Sequence, residues 1–576
     1  MKKIFSIAVI CAMAMAANAV PAKRGWQTRT QADGTTIEVQ VIGDEFYHYT
    51  INRDGLRVRL NADGMYEVVG EAPTVAQVRA RRAEGQVRRQ RKDVGTKPNL
   101  APKGIVILAN FKDTKMQSSH TQAVFDELCN SKNCTVNSGY PSAGQYFADQ
   151  SDGKYRPQFD VFGPVTLSNN YAYYGKDKSE EGDDQYATSA VVEACILANE
   201  QFSELNFADY DSDNDGYVDF VYVIYAGKGQ ADGGDANTIW PHNWDVTSAI
   251  QYGYCTYTDS QRKIDGKKVD NYAMSSELSG SALGGIGTLC HEFGHVMGLP
   301  DLYDIEYGTV YDKSVTPNDW DIMDGGSYNA DGHCPPNYDP WEKYFFGWVI
   351  PINPGPRGQK LDLIANGQKG YNPYQLNASG KQQAVTSTGV CYYIENRQAQ
   401  GWDKPLTGHG MLIWKVNFNE SAWTNNAPNG SSTSGAPLYT VVSATGTKIG
   451  WDGTNDNCPK NPFPGSGKVT EWKGLSGKPL LDITESNGVI SLIYIEDAGY
   501  NVTWVVNGAE LEKVEYEEGD DLKLPTKTVT PCDGTKFIGW TEEAEWMDPF
   551  VEPSDLFTTA DGKKVTKAVT YYAVFQ

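Results

Sequence analysis

The stretch Gly287-Thr288-Leu289-Cys290-His291-Glu292-Phe293-Gly294-His295-Val296-Met297-Gly298-Leu299-Pro300-Asp301 decides how the rest of the chain is read. His291 and His295 stand four residues apart, so on a helix they share one face. Two imidazoles placed in this way can bind one zinc ion at about 2.0–2.1 Å. Glu292 follows the first histidine, and its carboxylate can reach a water on an open coordination position. Gly298 lets the chain leave the helix sharply, because only glycine takes positive φ cheaply. Asp301 then returns as a third ligand, leaving a fourth position for water as a catalytic zinc requires. By ordinary residue frequencies, roughly one chain in ten thousand carries five such residues at this spacing by accident. Cys290 adjoins His291 but points about 100° away on a helix, which makes it a core thiol. His120, His242, His333 and His409 lie outside the motif and read as structural or surface histidines.

A second pattern precedes it. Asp211-Ser212-Asp213-Asn214-Asp215-Gly216-Tyr217-Val218-Asp219 matches the opening of a calcium loop, with carboxylates at alternate positions. Asp211, Asp213 and Asp215 can converge on a hard cation, Gly216 allows the bend, and the Tyr217 carbonyl can ligate. The twelfth position is Tyr222, where an EF-hand has a bidentate glutamate, so Asp219 is the expected substitute. The expected ion is a structural calcium. In an extracellular setting, a weak site of about 10⁻⁴–10⁻³ M suffices.

At 576 residues the chain is too long for one domain. A net charge of −23 excludes a folded nucleic-acid binder, which needs basic surface. The charge is divided: residues 1–103 carry 17 Lys and Arg against 10 Asp and Glu, a net of +7, and the remainder carries −30. Lys2 and Lys3, the apolar run Ile4 to Ala17, and Ala17-Asn18-Ala19 make a signal peptide over 1–19 with cleavage before Val20, so the protein is expected to be secreted. The apolar run is too short to span a bilayer, and no later stretch is long enough. Nine cysteines follow, an odd number that leaves at least one free or paired between chains; Cys129 and Cys134 are the candidate short-range bridge.

From Val20 to about Gly70 the text alternates in period two, with Asp-Gly turns at 33–34, 54–55 and 63–64, as in a small β-meander. A helical stretch with Arg79, Arg81, Arg82, Arg88, Arg89, Arg91 and Lys92 follows, an inviting site for a trypsin-like protease. Residues 20–100 therefore read as a β-rich propeptide with a basic helical tail. They contain no cysteine, so a carboxylate such as Asp33 or Asp44 is the candidate to cover the zinc. Ile105–Ala109 and Tyr217–Ala226 read as strands buried on both faces, Asp184–Asn199 as a helix, and Tyr272–Leu278 as an edge strand. The expected class is multidomain α+β: an α/β catalytic domain over 101–350 with the zinc-binding helix, a β-rich continuation over 351–497, and a separate β module over 498–576.

The zinc motif resembles the metzincin signature. With Pro300 before Asp301 and Leu302-Tyr303-Asp304 after it, it is most similar to the immune-inhibitor-A family of secreted bacterial metalloproteases. Trp320-Asp321-Ile322-Met323-Asp324-Gly325 resembles the family's Met-turn, which would place Met323 beneath the zinc. Pro340-Trp341-Glu342-Lys343-Tyr344-Phe345-Phe346-Gly347-Trp348, Tyr393-Ile394-Glu395-Asn396-Arg397-Gln398 and Gly408-His409-Gly410-Met411-Leu412-Ile413-Trp414 also fit, over about residues 25 to 475. The resemblance implies a zinc endopeptidase made as a zymogen and acting on proteins or peptides. Glu292 would take a proton from a zinc-activated water and pass it to the leaving amine. Tyr328 can be set against an oxyanion, but its position favours a packing role. Residues 498–576 are similar to the internalin-type β-grasp repeat, which implies either a spacer or a module that binds a surface, glycan or protein. The competing reading is a non-enzymatic adhesin built on an old metalloprotease core. Such a relic would be expected to lose Glu292 or a ligand, and none is lost. A gluzincin-type site needs a glutamate ligand further on than Glu306.

Overall fold

The computed structural model describes residues 20–576 except 24, 45–46, 62, 75, 79, 82–97, 99, 179–183, 305–315, 355–358, 431–436, 447–454, 495–499, 517–518, 532–533 and 543–553. The signal-peptide residues 1–19, most of the basic tail (Arg79, Arg82, Arg88, Arg89, Arg91, Lys92) and Glu306 fall outside them. The chain forms two compact units: 1–353 with 362–470 and 483–491, and 354–361 with 471–482 and 492–576.

The first unit opens with an antiparallel meander of β1 (Gln27–Thr30), β2 (Thr36–Gly43), β3 (His48–Asn52), β4 (Leu56–Leu60) and β5 (Tyr66–Glu71), paired in sequence order. Asp-Gly turns close these hairpins, with Gly34, Gly55 and Gly64 at positive φ. Next come β6 (Lys103–Asn110), β7 (Gln158–Thr166), β8 (Val221–Lys228), β9 (His242–Asp245), β10 (Asn271–Ser279) and β11 (Ala282–Leu283). They form one sheet in the order β11-β10-β8-β6-β7, with β9 also on β10. The β7-β6, β6-β8 and β8-β10 pairs are parallel, with Ile105 facing Val221 and Val221 facing Tyr272.

Side chains alternate across this sheet. Val106, Leu108, Tyr222 and Ile224 enter one core together with α1 (Gln122–Asn130), α2 (Ala143–Gln150) and α4 (Gly287–Val296). Ile105, Ile107, Val221, Val223 and Tyr225 enter the other, against α3 (Ala187–Gln201). Burial on both faces explains the unbroken apolar run of β6. The strand expected at the edge, Tyr272–Leu278, lies inside the sheet: β8 pairs along one side, and β9 and then β11 along the other. Its partners are short segments without strong apolar pattern, so the sequence hides them.

After α4 the chain makes α5 (Pro340–Phe345), begun by Asp339 and Glu342 in a reciprocal capping box. An antiparallel sheet of β12 (Tyr374–Asn377), β13 (Gly389–Arg397), β14 (Gly410–Phe418) and β15 (Tyr439–Val441) completes the first unit's main core. In the second unit, β16 (Tyr500–Val506), β17 (Ala509–Tyr516), β18 (Phe537–Thr541) and β19 (Val569–Phe575) pair in the order β17-β16-β19-β18, with β16 and β19 parallel. Val502, Trp504, Leu522, Trp540, Val565 and Tyr571 are buried in its core. The eight described cysteines carry free thiols, so Cys129 and Cys134 are not bridged. Cys129 faces the core from α1, whereas Cys134 sits half-buried in the turn beyond that helix.

Candidate metal centre and active site

Helix α4 is pinned by an aromatic nest: Phe293 meets the rings of Phe147, Phe159 and Phe220 at 5.0–5.2 Å. Fully burying one such side chain contributes about 1.5–3 kcal/mol. The opposite face presents His291 and His295. Gly298, at φ +106, ends the helix and turns the chain so that Asp301 comes back to them.

The three side chains converge. The His291 and His295 Nε2 atoms are 3.0 Å apart, and each lies 3.3 Å from Asp301 Oδ1. His291 Nδ1 faces the Ile322 carbonyl at 2.6 Å, and His295 Nδ1 faces the Leu299 carbonyl at 2.8 Å. Both Nδ1 atoms therefore donate, and both Nε2 atoms turn lone pairs toward each other and toward a carboxylate oxygen. All three residues are 0 % exposed. Three facing lone pairs repel unless a cation sits among them. Ligand atoms at about 2.0–2.2 Å from a tetrahedral ion stand about 3.3–3.6 Å apart; both histidine–aspartate distances meet this, the histidine pair is slightly closer, and the donor types suit zinc. Burial pulls the His295 imidazole down to about 4, which keeps its Nε2 lone pair available at neutral pH.

A shell of partners holds the donors. Asn426 donates to Asp301 Oδ2 at 2.6 Å and accepts from the Asp301 backbone N–H at 2.6 Å. The Tyr303 hydroxyl lies 3.3 Å from the same Oδ2. Met323 lies under the helix because residue 294 is glycine: a Cβ there would come within 2.7 Å of the Met323 Sδ. No motif points to Asn426, which lies 125 residues beyond Asp301 with only its side-chain amide as signal.

Glu292 is buried beside the donors, and its Oε1 accepts from the Val20 backbone N–H at 3.2 Å. The segment Val20-Pro21-Ala22 is buried here. Trp240 Nε1 donates to the Val20 carbonyl at 3.2 Å, and the Tyr328 hydroxyl donates to the Pro21 carbonyl at 2.8 Å. Tyr328 thus reaches a peptide carbonyl and is more than a packing residue. Val20, Ala22, Val41, Ala231 and Trp240 share one apolar cluster, and His48 stacks on Trp240 at 4.2 Å. Of the two carboxylates expected over the metal, Asp33 is exposed and bonds to Thr35. Asp44 is buried, but the Tyr303 hydroxyl stands between it and Asp301, 3.4 Å from Asp44 Oδ2. Neither carboxylate bonds to Glu292, whose Oε1 meets the Val20 backbone N–H.

The other histidines sit apart. His242 is buried between the Trp240 carbonyl and the Tyr272 hydroxyl, His120 pairs with Glu277, and His409 meets Glu485 at the surface. Burial raises the Cys290 thiol well above its ordinary range in the core. In the acidic loop, carboxylate oxygens of Asp211, Asp213 and Asp215 lie within 4.8 Å of one another. Asp219 accepts instead from the Ser212 N–H at 3.1 Å, and the Tyr217 N–H donates to Asp215. The Lys267 ammonium lies 2.5 Å from Asp211 Oδ2, a feature not visible in the motif.

A buried His-His-Asp cage beside a glutamate is the donor set of a metal-dependent hydrolase. Residues 106–350 match the family described as immune inhibitor A peptidase M6, catalytic domain. The chain is 27% identical over 289 residues to the Pre-pro-metalloprotease PrtV of Vibrio cholerae serotype O1, covering 44% of this chain and 30% of that protein. It is 30% identical over 231 residues to Immune inhibitor A of Bacillus thuringiensis subsp. alesti, covering 36% of this chain and 32% of that protein. The chain thus spans about a third of the length of these curated relatives. Residues 106–350 form a metallopeptidase-type hydrolase domain. No described helix is long and apolar enough to cross a membrane.

Proposed function

We infer that the protein is a secreted zinc endopeptidase of the metzincin type, made as a zymogen and acting on proteins or peptides. The observation that carries this reading is the cage of His291, His295 and Asp301 with Glu292 beside it. When bound, zinc supplies Lewis acidity that activates water and polarises the scissile carbonyl. Glu292 is the general base that takes the water's proton on its carboxylate and hands it to the leaving nitrogen. His291 and His295 are ligands, oriented through Nδ1 by the Ile322 and Leu299 carbonyls. Asp301 is the third ligand, aimed by Asn426. Tyr328, already bonded to the Pro21 carbonyl, suits a role in holding a substrate carbonyl near the centre.

The latency reading rests on Val20-Pro21-Ala22. They are buried, and the Val20 N–H holds Glu292 Oε1, which supports a segment that competes with substrate for the general base. Signal cleavage before Val20 would put a free amine against the Glu292 carboxylate, and an ammonium paired there removes the general base. The basic segment 79–92 remains the proposed processing site. Calcium at Asp211, Asp213, Asp215, Tyr217 and Asp219 is proposed as structural. Lys267 competes with it for Asp211. The second unit is proposed as an internalin-type β-grasp module, a spacer or a binder of a surface, glycan or protein.

The test is a cleavage-site profile on casein, taken before and after proteolysis within 79–92, with and without a zinc-selective chelator in excess calcium. The cut chain should cleave internal peptide bonds, lose this with chelator and regain it with zinc, while the uncut chain stays nearly silent. A profile unchanged by the chelator contradicts the zinc assignment; equal activity before and after the cut removes the zymogen.

A further inference from the structure

A second group of carboxylates, one of them in the Met-turn itself, is not used by the zinc chemistry. Asp321, Asp339 and Glu342 are completely buried, and one oxygen from each lies within 4.8 Å of the others. Four of their six oxygens are satisfied. Asp321 Oδ1 accepts from the Met323 N–H at 2.7 Å, Glu342 Oε2 from the Asp339 N–H at 2.9 Å, and Asp339 from the Glu342 N–H at 2.9 Å and the Tyr439 hydroxyl. Asp321 Oδ2 and Glu342 Oε1, both fully buried, have no hydrogen-bond partner among the described residues. The Tyr338 hydroxyl, fully buried and also without a partner, belongs to the same neighbourhood: after burial itself, the charge of Glu342 acts on it most. A buried anionic oxygen without donor or cation is strongly disfavoured.

The surroundings do not neutralise the group. Asp324, Glu395 and Asp403 are buried in the same network, making six carboxylates, whereas its buried cations are Arg397 and Lys343. Arg397 spends its guanidinium on Glu395 at 2.8 Å, Asp403 at 2.9 Å and the Asn337 carbonyl. The Lys343 ammonium goes to Asn366 at 2.6 Å. Neither bonds to the Asp321–Asp339–Glu342 group. Burial, and then mutual repulsion, pushes Asp321 and Glu342 well above the carboxylate range, as expected of acids packed without a counter-charge.

We propose that Asp321, Asp339 and Glu342 form a buried calcium site, distinct from the zinc cage and from the Asp211–Asp215 loop. The donors are all hard oxygens, which excludes a preference for zinc. Oxygens on opposite sides of calcium stand about 4.6–5.2 Å apart, a span that fits the group. Magnesium keeps several waters and dehydrates reluctantly, which does not suit a fully buried pocket. The ion would tie α5 to the Met-turn at Asp321. Asp321 precedes Ile322, whose carbonyl orients His291, and Met323, which lies beneath Gly294. This cation would therefore hold the floor of the zinc site rigid.

The experiment uses the full chain carrying Glu292→Ala, which prevents self-digestion, together with Asp211→Asn, Asp213→Asn and Asp215→Asn, which remove the loop's charge. After dialysis in calcium and then in metal-free buffer, calcium and zinc per chain are measured by elemental analysis, and thermal melting is followed with and without added calcium. The proposal expects about one calcium retained per chain and a melting temperature that rises with calcium. Adding Glu342→Gln should abolish both while zinc stays bound. If that variant does not fold, the loop variant alone decides. No retained calcium and no calcium-dependent melting shift in it would overturn the site, as would a second zinc in place of calcium.

Discussion

The His291–His295–Asp301 cage and the Asp321–Asp339–Glu342 group are both fully buried, yet they are assembled in opposite ways. His291, Glu292, His295 and Asp301 fall within eleven residues, and one helix with one glycine turn brings them together. Asp321, Asp339 and Glu342 come from a turn and a helix cap, and their charge is set by residues as distant as Glu395, Arg397 and Tyr439. A local motif can carry reacting groups because helix geometry fixes their relative positions. The support under them is built from tertiary contacts. The comparison can be broken at either end.

Removing a ligand should have the largest effect. Asp301→Ala should lose zinc and with it all casein cleavage, because two histidines alone leave the site short of the three protein ligands of a catalytic zinc. Full zinc occupancy after that change, read by elemental analysis, would rule Asp301 out. One step outward the effect should be smaller. Asn426 touches Asp301 and none of the other donors, so Asn426→Ala should weaken zinc binding by about 10–100-fold and leave the fold intact. Competition against a calibrated chelator measures this, and unchanged affinity would mean that Asn426 merely packs. The calcium experiment above probes the remaining layer, where the effect should appear in stability with zinc retained.

The legible parts of the molecule follow the same division. The buried strand at Ile105–Ala109 and the long helix could be read because period and composition are local; the helix runs Ala187–Gln201, starting after the expected Asp184. The place of Tyr272–Leu278 inside the sheet could not, since β9 and β11 are too short to announce themselves. At the site, the motif named the converging side chains, but Asn426 brings only an ordinary side chain from far along the chain. The occlusion was read as a carboxylate at Asp33 or Asp44. The segment that meets Glu292, Val20–Ala22, is held through backbone groups, which carry no residue signature. Lys267 at Asp211 was hidden for a related reason, as its partner lies 56 residues away.

The central claim is that Glu292 performs the proton transfer in a centre whose metal is held by other residues. The direct test is zinc content and casein cleavage measured on the same preparation of Glu292→Ala, cut within 79–92. About one zinc per chain with cleavage reduced by at least about 10²–10⁴-fold is the predicted result. Zinc retained with cleavage at the unsubstituted rate would contradict it.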